Sequence, residues 1–193
     1  MIMQPELTDT TTSAVQTLVL YSLAEHQLGH AKSIRVTASG HSFSVQDDGR
    51  GHAVGRLVDG SPYLDFIYCH LDFPYADRMA RQIQLQGLGM SLLNRLCLEL
   101  QVTVRKPQVT LNLRFRCGQL LTHEVIDTKN PETGNAVCGV VHPGTTPMPA
   151  DENALHRWLS AVRAASPSLL LHFNGQPIQG PAGGDLYLPE QGR

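Results

Sequence analysis

Apolar and polar positions alternate with two periods along this chain, and the changes of period mark out its elements. Between residues 14 and 28, Val15, Leu18, Val19, Leu23 and Leu28 recur at helical spacing along one stripe. A cap from Thr11, Thr12 or Ser13 and a stop at Gly29 frame a helix there. The period then drops to two. Ser33 to Ala38 and Ser42 to Gln46 form the arms of a hairpin turning at Ser39-Gly40. Helical spacing returns over residues 89–99. Gln101 to Lys106, Val109 to Cys117, Leu120 to Ile126 and Val137 to His142 alternate as strands. In the second of these, Val109, Leu111, Leu113 and Phe115 share a face. Asp127 to Asn135 is a loop with Pro131 and Gly134. A last helix over about 152–165 aligns Leu155, Trp158, Leu159 and Val162, and a strand from Ser168 to Phe173 turns at Asn174-Gly175.

This order predicts a two-layer α/β sandwich, with helices on one face of a mixed, mostly antiparallel sheet. The period fails over residues 52–86, where Pro62, Pro74 and the aromatics Tyr63, Phe66, Tyr68, Phe73 and Tyr75 interrupt it. A short helix is expected there at Asp77 to Gln84. Residues 1–12 are polar and read as an N-terminal arm, 13–176 as the domain, and the Gly/Pro-rich 177–193 as a tail.

The 193 residues suffice for one domain with a real core. With 41% hydrophobic and 17% charged residues and a formal net charge of −2, the chain has ordinary globular composition and no bulk basic signal for nucleic acid. Cys69, Cys97, Cys117 and Cys138 stand apart, without zinc-ligand spacing, and read as reduced thiols of a cytoplasmic protein. No apolar run reaches membrane-spanning length, and the N-terminus lacks the apolar core of a signal peptide.

Chemistry concentrates in Val45-Gln46-Asp47-Asp48-Gly49-Arg50-Gly51. A strand runs into a carboxylate, and glycines at 49 and 51 permit positive φ and close approach of a ligand to the main chain. An ionised carboxylate only accepts hydrogen bonds, which suits an amino-bearing heterocycle. A plain Asp/Gly turn fits the same residues. A second glycine pair, Gly87 and Gly89, precedes the apolar run Leu92 to Leu98 and leaves backbone N–H groups free for an anion.

Taken together, Gly29 to Thr37, Val45 to Gly51 and Leu85 to Asn94 resemble, in order and spacing, the GHKL ATPase superfamily (the Bergerat fold). That group includes DNA gyrase B, MutL, sensor histidine kinases and certain heat-shock chaperones. The gyrase B and topoisomerase IV ATPase subdomain is most similar, over most of residues 13–175. The resemblance implies ATP or ADP as ligand. Asp47 would accept from the adenine amine, a water bridging to the ring near Gly51. Val45 would line the pocket. Arg50 would lie beside the base, paired with Glu25 of the first helix. Gly87 and Gly89 would approach the phosphates, where Ser91 is placed to add a hydroxyl, and residues 52–86 would be a lid. Asp48 is expected to bond local backbone.

Departures from the family pattern matter as much. Counting back from Gly29-His30, Thr17 stands where the family carries its general-base glutamate, and Tyr21 where it carries a magnesium-binding asparagine. A Thr hydroxyl has no accessible titration near neutral pH. Tyr lacks the amide oxygen that a hard cation such as Mg²⁺ prefers. Losing a positioned base costs about two to four orders of magnitude in rate, roughly 3–5 kcal/mol of barrier. The T-G-T-type strand of the family is matched by Cys138-Gly139. The expectation is a nucleotide-binding regulatory or interaction module impaired in hydrolysis, with a protein partner or homodimer. The alternatives are an ATPase whose base comes from Glu6 or a partner, and a scaffold that keeps only the fold.

Overall fold

The computed structural model describes residues 10–58, 60–69, 89–129, 131–144 and 148–180. Helix α1 spans Thr10–Gln27, starting inside the stretch expected to be an arm. Tertiary contacts draw the helix start back. Thr11 donates its hydroxyl to Met148 O at 2.9 Å, and Thr12 Oγ1 accepts the Asp151 N–H at 3.0 Å. Val15, Leu18, Val19 and Leu23 are buried as the stripe predicts. Leu28 is 57% exposed, because the helix has already ended and Gly29 has turned to φ +79°.

Strands β1 (Ser33–Ser39) and β2 (Ser42–Asp47) form the expected hairpin. Strands β3 (Leu57–Val58) and β4 (Ser61–Pro62) make a separate two-stranded ribbon, followed by helix α2, Tyr63–Cys69. The helix expected at Asp77 to Gln84 lies outside the described residues, as do Phe73, Tyr75 and Gly87. Helix α3 (Met90–Leu96) passes directly into β5, Cys97–Lys106. Strands β6 (Val109–Arg116), β7 (Gln119–Asp127) and β8 (Gly134–Val141) follow. Helix α4 runs Glu152–Ala165, capped by Asp151, whose carboxylate accepts the Ala154 N–H at 2.8 Å. Strands β9 (Leu170–Phe173) and β10 (Gln176–Pro177) close the described chain.

Eight strands form one sheet in the order β10-β9-β1-β2-β8-β5-β6-β7. Among the described residues only β1 and β9 pair in parallel; every other neighbour in this sheet is antiparallel. One face is apolar: Ile34, Val36, Val45, Leu100, Val102, Val104, Leu111, Leu113 and Phe115 are buried beneath the helices. Residues between them, such as Arg35, Gln101 and Arg114, face away and are exposed. This is the two-layer α/β sandwich the order predicts. Fully burying one such side chain contributes about 1.5–3 kcal/mol, so the helix layer is held chiefly by this face.

Candidate functional site

Strand β2 delivers Asp47 to the apolar face, beneath α1 and next to the first residues of β8. Asp47 is 5% exposed, and its carboxylate is bonded from three elements. Oδ1 accepts the backbone N–H of Gly49 at 2.9 Å and of Asn135 at 3.3 Å. Oδ2 accepts the hydroxyl of Ser22 at 2.9 Å and lies 3.5 Å from Asn135 Nδ2. Asp48 turns the other way. Its Oδ1 accepts the backbone N–H groups of Lys32 and Ser33 at 2.7 and 2.9 Å, the local backbone role expected of it.

The two glycines of this turn are required for different reasons. Gly51 has φ +70°, and a Cβ there would meet Arg105 O at 3.0 Å and Val104 Cγ1 at 3.1 Å. Gly49 has no positive φ. Its need is space: a Cβ would stand 3.0 Å from Asp47 Oδ1 and 3.2 Å from Glu25. Lys106 straps the turn to β5, donating from Nζ to Arg50 O at 2.8 Å and Gly51 O at 2.9 Å.

A cavity of about 350 Å³ opens beside Asp47. Leu18, Val45, Val137 and Met90 supply apolar lining; Glu25, Arg50, Gly51, His52 and Asn135 supply polar lining. Arg50 clasps Glu25 with two side-chain donors, Nη2 to Oε1 at 2.8 Å and Nε to Oε2 at 3.1 Å. The Arg50 hydrogen bond, against the effect of partial burial, holds the Glu25 carboxyl below its usual value. Burial lowers the pKa of the His52 imidazole, partly opposed by Asp47 and Glu25. Tyr21 lines the cavity from α1, and burial, with Tyr63 nearby, pushes its hydroxyl pKa up. Thr17, one turn earlier on α1, is buried and does not line the cavity. Gly89 stands at the N-cap of α3, beside the buried Ser91, and only its successor Met90 reaches the lining.

Thus Val45, Asp47, Arg50, Gly51 and Glu25 converge on one hollow, Gly89 borders it through α3, and Gly87 lies outside the described residues. Sequence reasoning missed Ser22, His52, Lys106 and Asn135. Ser22 stood one helical turn before Glu25, a usable signal. The T-G-T assignment needs correction. Cys138 pairs with Ser44 and Gln101 on β8 and is not part of the cavity lining. The segment that abuts Asp47 is Thr133-Gly134-Asn135. Thr133 Oγ1 donates to Gly49 O at 2.7 Å, and a Cβ on Gly134 would collide with Asp47 O.

The strand order, the helix-covered face of the described sheet and this hollow are consistent with the GHKL fold. No family model matches the chain. Among curated proteins it is 32% identical over 109 residues to the B subunit of DNA topoisomerase 4 from Salmonella typhimurium, and 31% identical over 109 residues to that of Escherichia coli strain K12. Each match takes in 54% of this chain and only 17% of the relative's length. The topoisomerase IV ATP binding domain of Francisella tularensis, solved in complex with a small molecule inhibitor, superposes with a TM-score of 0.69. It is 20% identical, with 84% of this chain and 80% of that chain covered. Within the GHKL class, then, the chain is a gyrase-B-like domain, homologous to part of the topoisomerase IV B subunit. Among the described residues no helix is long and apolar enough to cross a membrane.

Proposed function

We propose that the cavity binds an adenine nucleotide, ATP or ADP, and that the chain acts as a cytoplasmic regulatory or interaction module with impaired hydrolysis. The observation that carries this is the Asp47 carboxylate, buried yet lining a hollow of ligand size. In this reading Asp47 takes the exocyclic amine, Val45 and Gly51 border the base, and the Arg50–Glu25 pair flanks it. Gly87 and Gly89 approach the phosphates, within a domain of residues 13–176 whose lid covers about 52–86.

Thr17 and Tyr21 support the loss of hydrolysis. Neither side chain is a base near neutral pH, and burial keeps the Tyr21 hydroxyl protonated. The residues at the metal position do not fit Mg²⁺, which demands oxygen ligands in near-octahedral array. A protein partner or a homodimer would receive any nucleotide signal.

A nucleotide-free scaffold is the second reading, favoured by one observation: Asp47, Gly49 and Gly51 each already have a packing or hydrogen-bonding reason to be what they are. Thermal-shift titrations with ATP, ADP and a gyrase-B-directed inhibitor, with and without Mg²⁺, separate the two. A stabilisation that saturates with nucleotide, ignores Mg²⁺ and comes without phosphate release is expected. No shift with any ligand leaves the scaffold. Magnesium-dependent shifts with phosphate release restore an active ATPase.

A further inference from the structure

At the Asp47 end of the cavity, one side-chain amide is fixed in orientation and underused. Asn135 Oδ1 accepts the His52 backbone N–H at 2.9 Å. An N–H needs an acceptor, so this contact settles which end of the amide is oxygen. Nδ2 is thereby presented toward Asp47 Oδ2, 3.5 Å away, at the far limit of a hydrogen bond. Nδ2 carries two hydrogens, and this long contact is its one partner among the described residues. Asn135 and Asp47 both line the cavity. The ligand therefore meets, side by side, an oxygen that only accepts and a nitrogen that only donates.

The backbone holds this pair in place. Asn135 N–H bonds Asp47 Oδ1, Thr133 bonds Gly49 O, and β8 pairs with β2 from Gln46↔Ala136 onward. The amide has no need to reorganise when a ligand arrives.

We propose that Asn135 donates directly to a ring nitrogen of the ligand, beside an exocyclic amine accepted by Asp47. The site then selects heterocycles with an amidine-type edge, an amine next to an unprotonated ring nitrogen. This rests on the adenine reading of the cavity and sharpens it, because the contact is made by protein rather than by a bridging water. Adenine offers such an edge. Hypoxanthine offers a carbonyl oxygen beside an N–H, which sets oxygen against carboxylate and N–H against N–H.

Calorimetric titration of the full chain with adenosine, 1-deazaadenosine, 7-deazaadenosine and inosine tests this. Each deaza analogue keeps the amine and replaces one neighbouring ring nitrogen with C–H. Wild type is expected to bind adenosine, to bind inosine far more weakly, and to bind 1-deazaadenosine, which lacks the ring nitrogen of the amidine edge, about tenfold more weakly. Asn135→Ala is expected to bind adenosine and that analogue alike. If 1-deazaadenosine binds wild type as tightly as adenosine does, the Asn135 contact is overturned while adenine recognition by Asp47 stands. If adenosine and ADP both fail to bind, the adenine reading falls and this inference with it. The wild-type comparison needs no variant, so a poorly folding Asn135→Ala leaves it decisive.

Discussion

The Asp47 end of the cavity and the aromatic cluster near Tyr21 are built on opposite terms. At the Asp47 end, a buried charge is met by donors from α1, from its own turn and from β8, all between 2.9 and 3.5 Å. Near Tyr21, rings that for the most part do not line the cavity pack on one another. Tyr68 stacks on Phe115 with centroids 5.5 Å apart and meets the edge of His52 at 6.4 Å, while Arg56 sits 4.9 Å over the Tyr63 ring. Burial raises the pKa of the Tyr21, Tyr63 and Tyr68 hydroxyls. The Tyr68 hydroxyl finds no hydrogen-bond partner among the described residues. The first is specified by hydrogen bonds and tolerates little change. The other is specified by volume; it can lose a hydroxyl but is a poor host for added negative charge.

Substitutions can break or sharpen this contrast. The largest effect is expected from Gly134→Ala. A methyl group there collides with Asp47 O, so β8 must part from the Asp47 turn. A loss of about 4 kcal/mol or more, or failure to fold, should appear in urea unfolding. Wild-type stability in this variant would mean that the strand–turn contact is loose. Asp47→Ala comes next. It strands the Gly49 and Asn135 N–H groups and the Ser22 hydroxyl, at a cost of about 2–4 kcal/mol. Asp47→Asn keeps the volume, and under the proposed function it abolishes any nucleotide-induced thermal shift; a surviving shift would sink Asp47 as the base reader.

The opposite sign is expected in the aromatic cluster. Tyr68→Phe deletes a buried hydroxyl that makes no bond among the described residues, so the variant should match or exceed wild type by up to about 1 kcal/mol. A marked loss would reveal a partner for that hydroxyl. The smallest effect belongs to Glu25→Gln at the exposed rim, where Arg50 is 56% exposed. Because Arg50 lowers the folded-state pKa of Glu25, the pair's contribution is full above the unfolded carboxyl value. It fades as pH falls through the lower folded value. The difference in melting temperature between wild type and Glu25→Gln should therefore be small at pH 7 and close in acid.

Legibility follows the range of the interactions. Helix α4 is readable to its first and last residue, since a cap and an apolar stripe are both local signals. The start of α1 is not, because Thr11 and Thr12 are held by residues more than 130 positions away. Glu25 and Arg50, 25 positions apart, carry no local signal of their pairing, which only the family resemblance implied. Asn135, 88 residues from Asp47, reads in the sequence only as the end of a loop.

Short-range periodicity was enough to establish the layers and the hairpin, and the family resemblance supplied the class of domain and the role of the carboxylate at its centre. They could not say which residue faces that carboxylate across the sheet. Strand register settles it: a slip of one residue between β2 and β8 would turn Asn135 to the opposite face. Register is imposed by the packing of the whole apolar face against the helices, a sum of contacts between segments that share no local pattern.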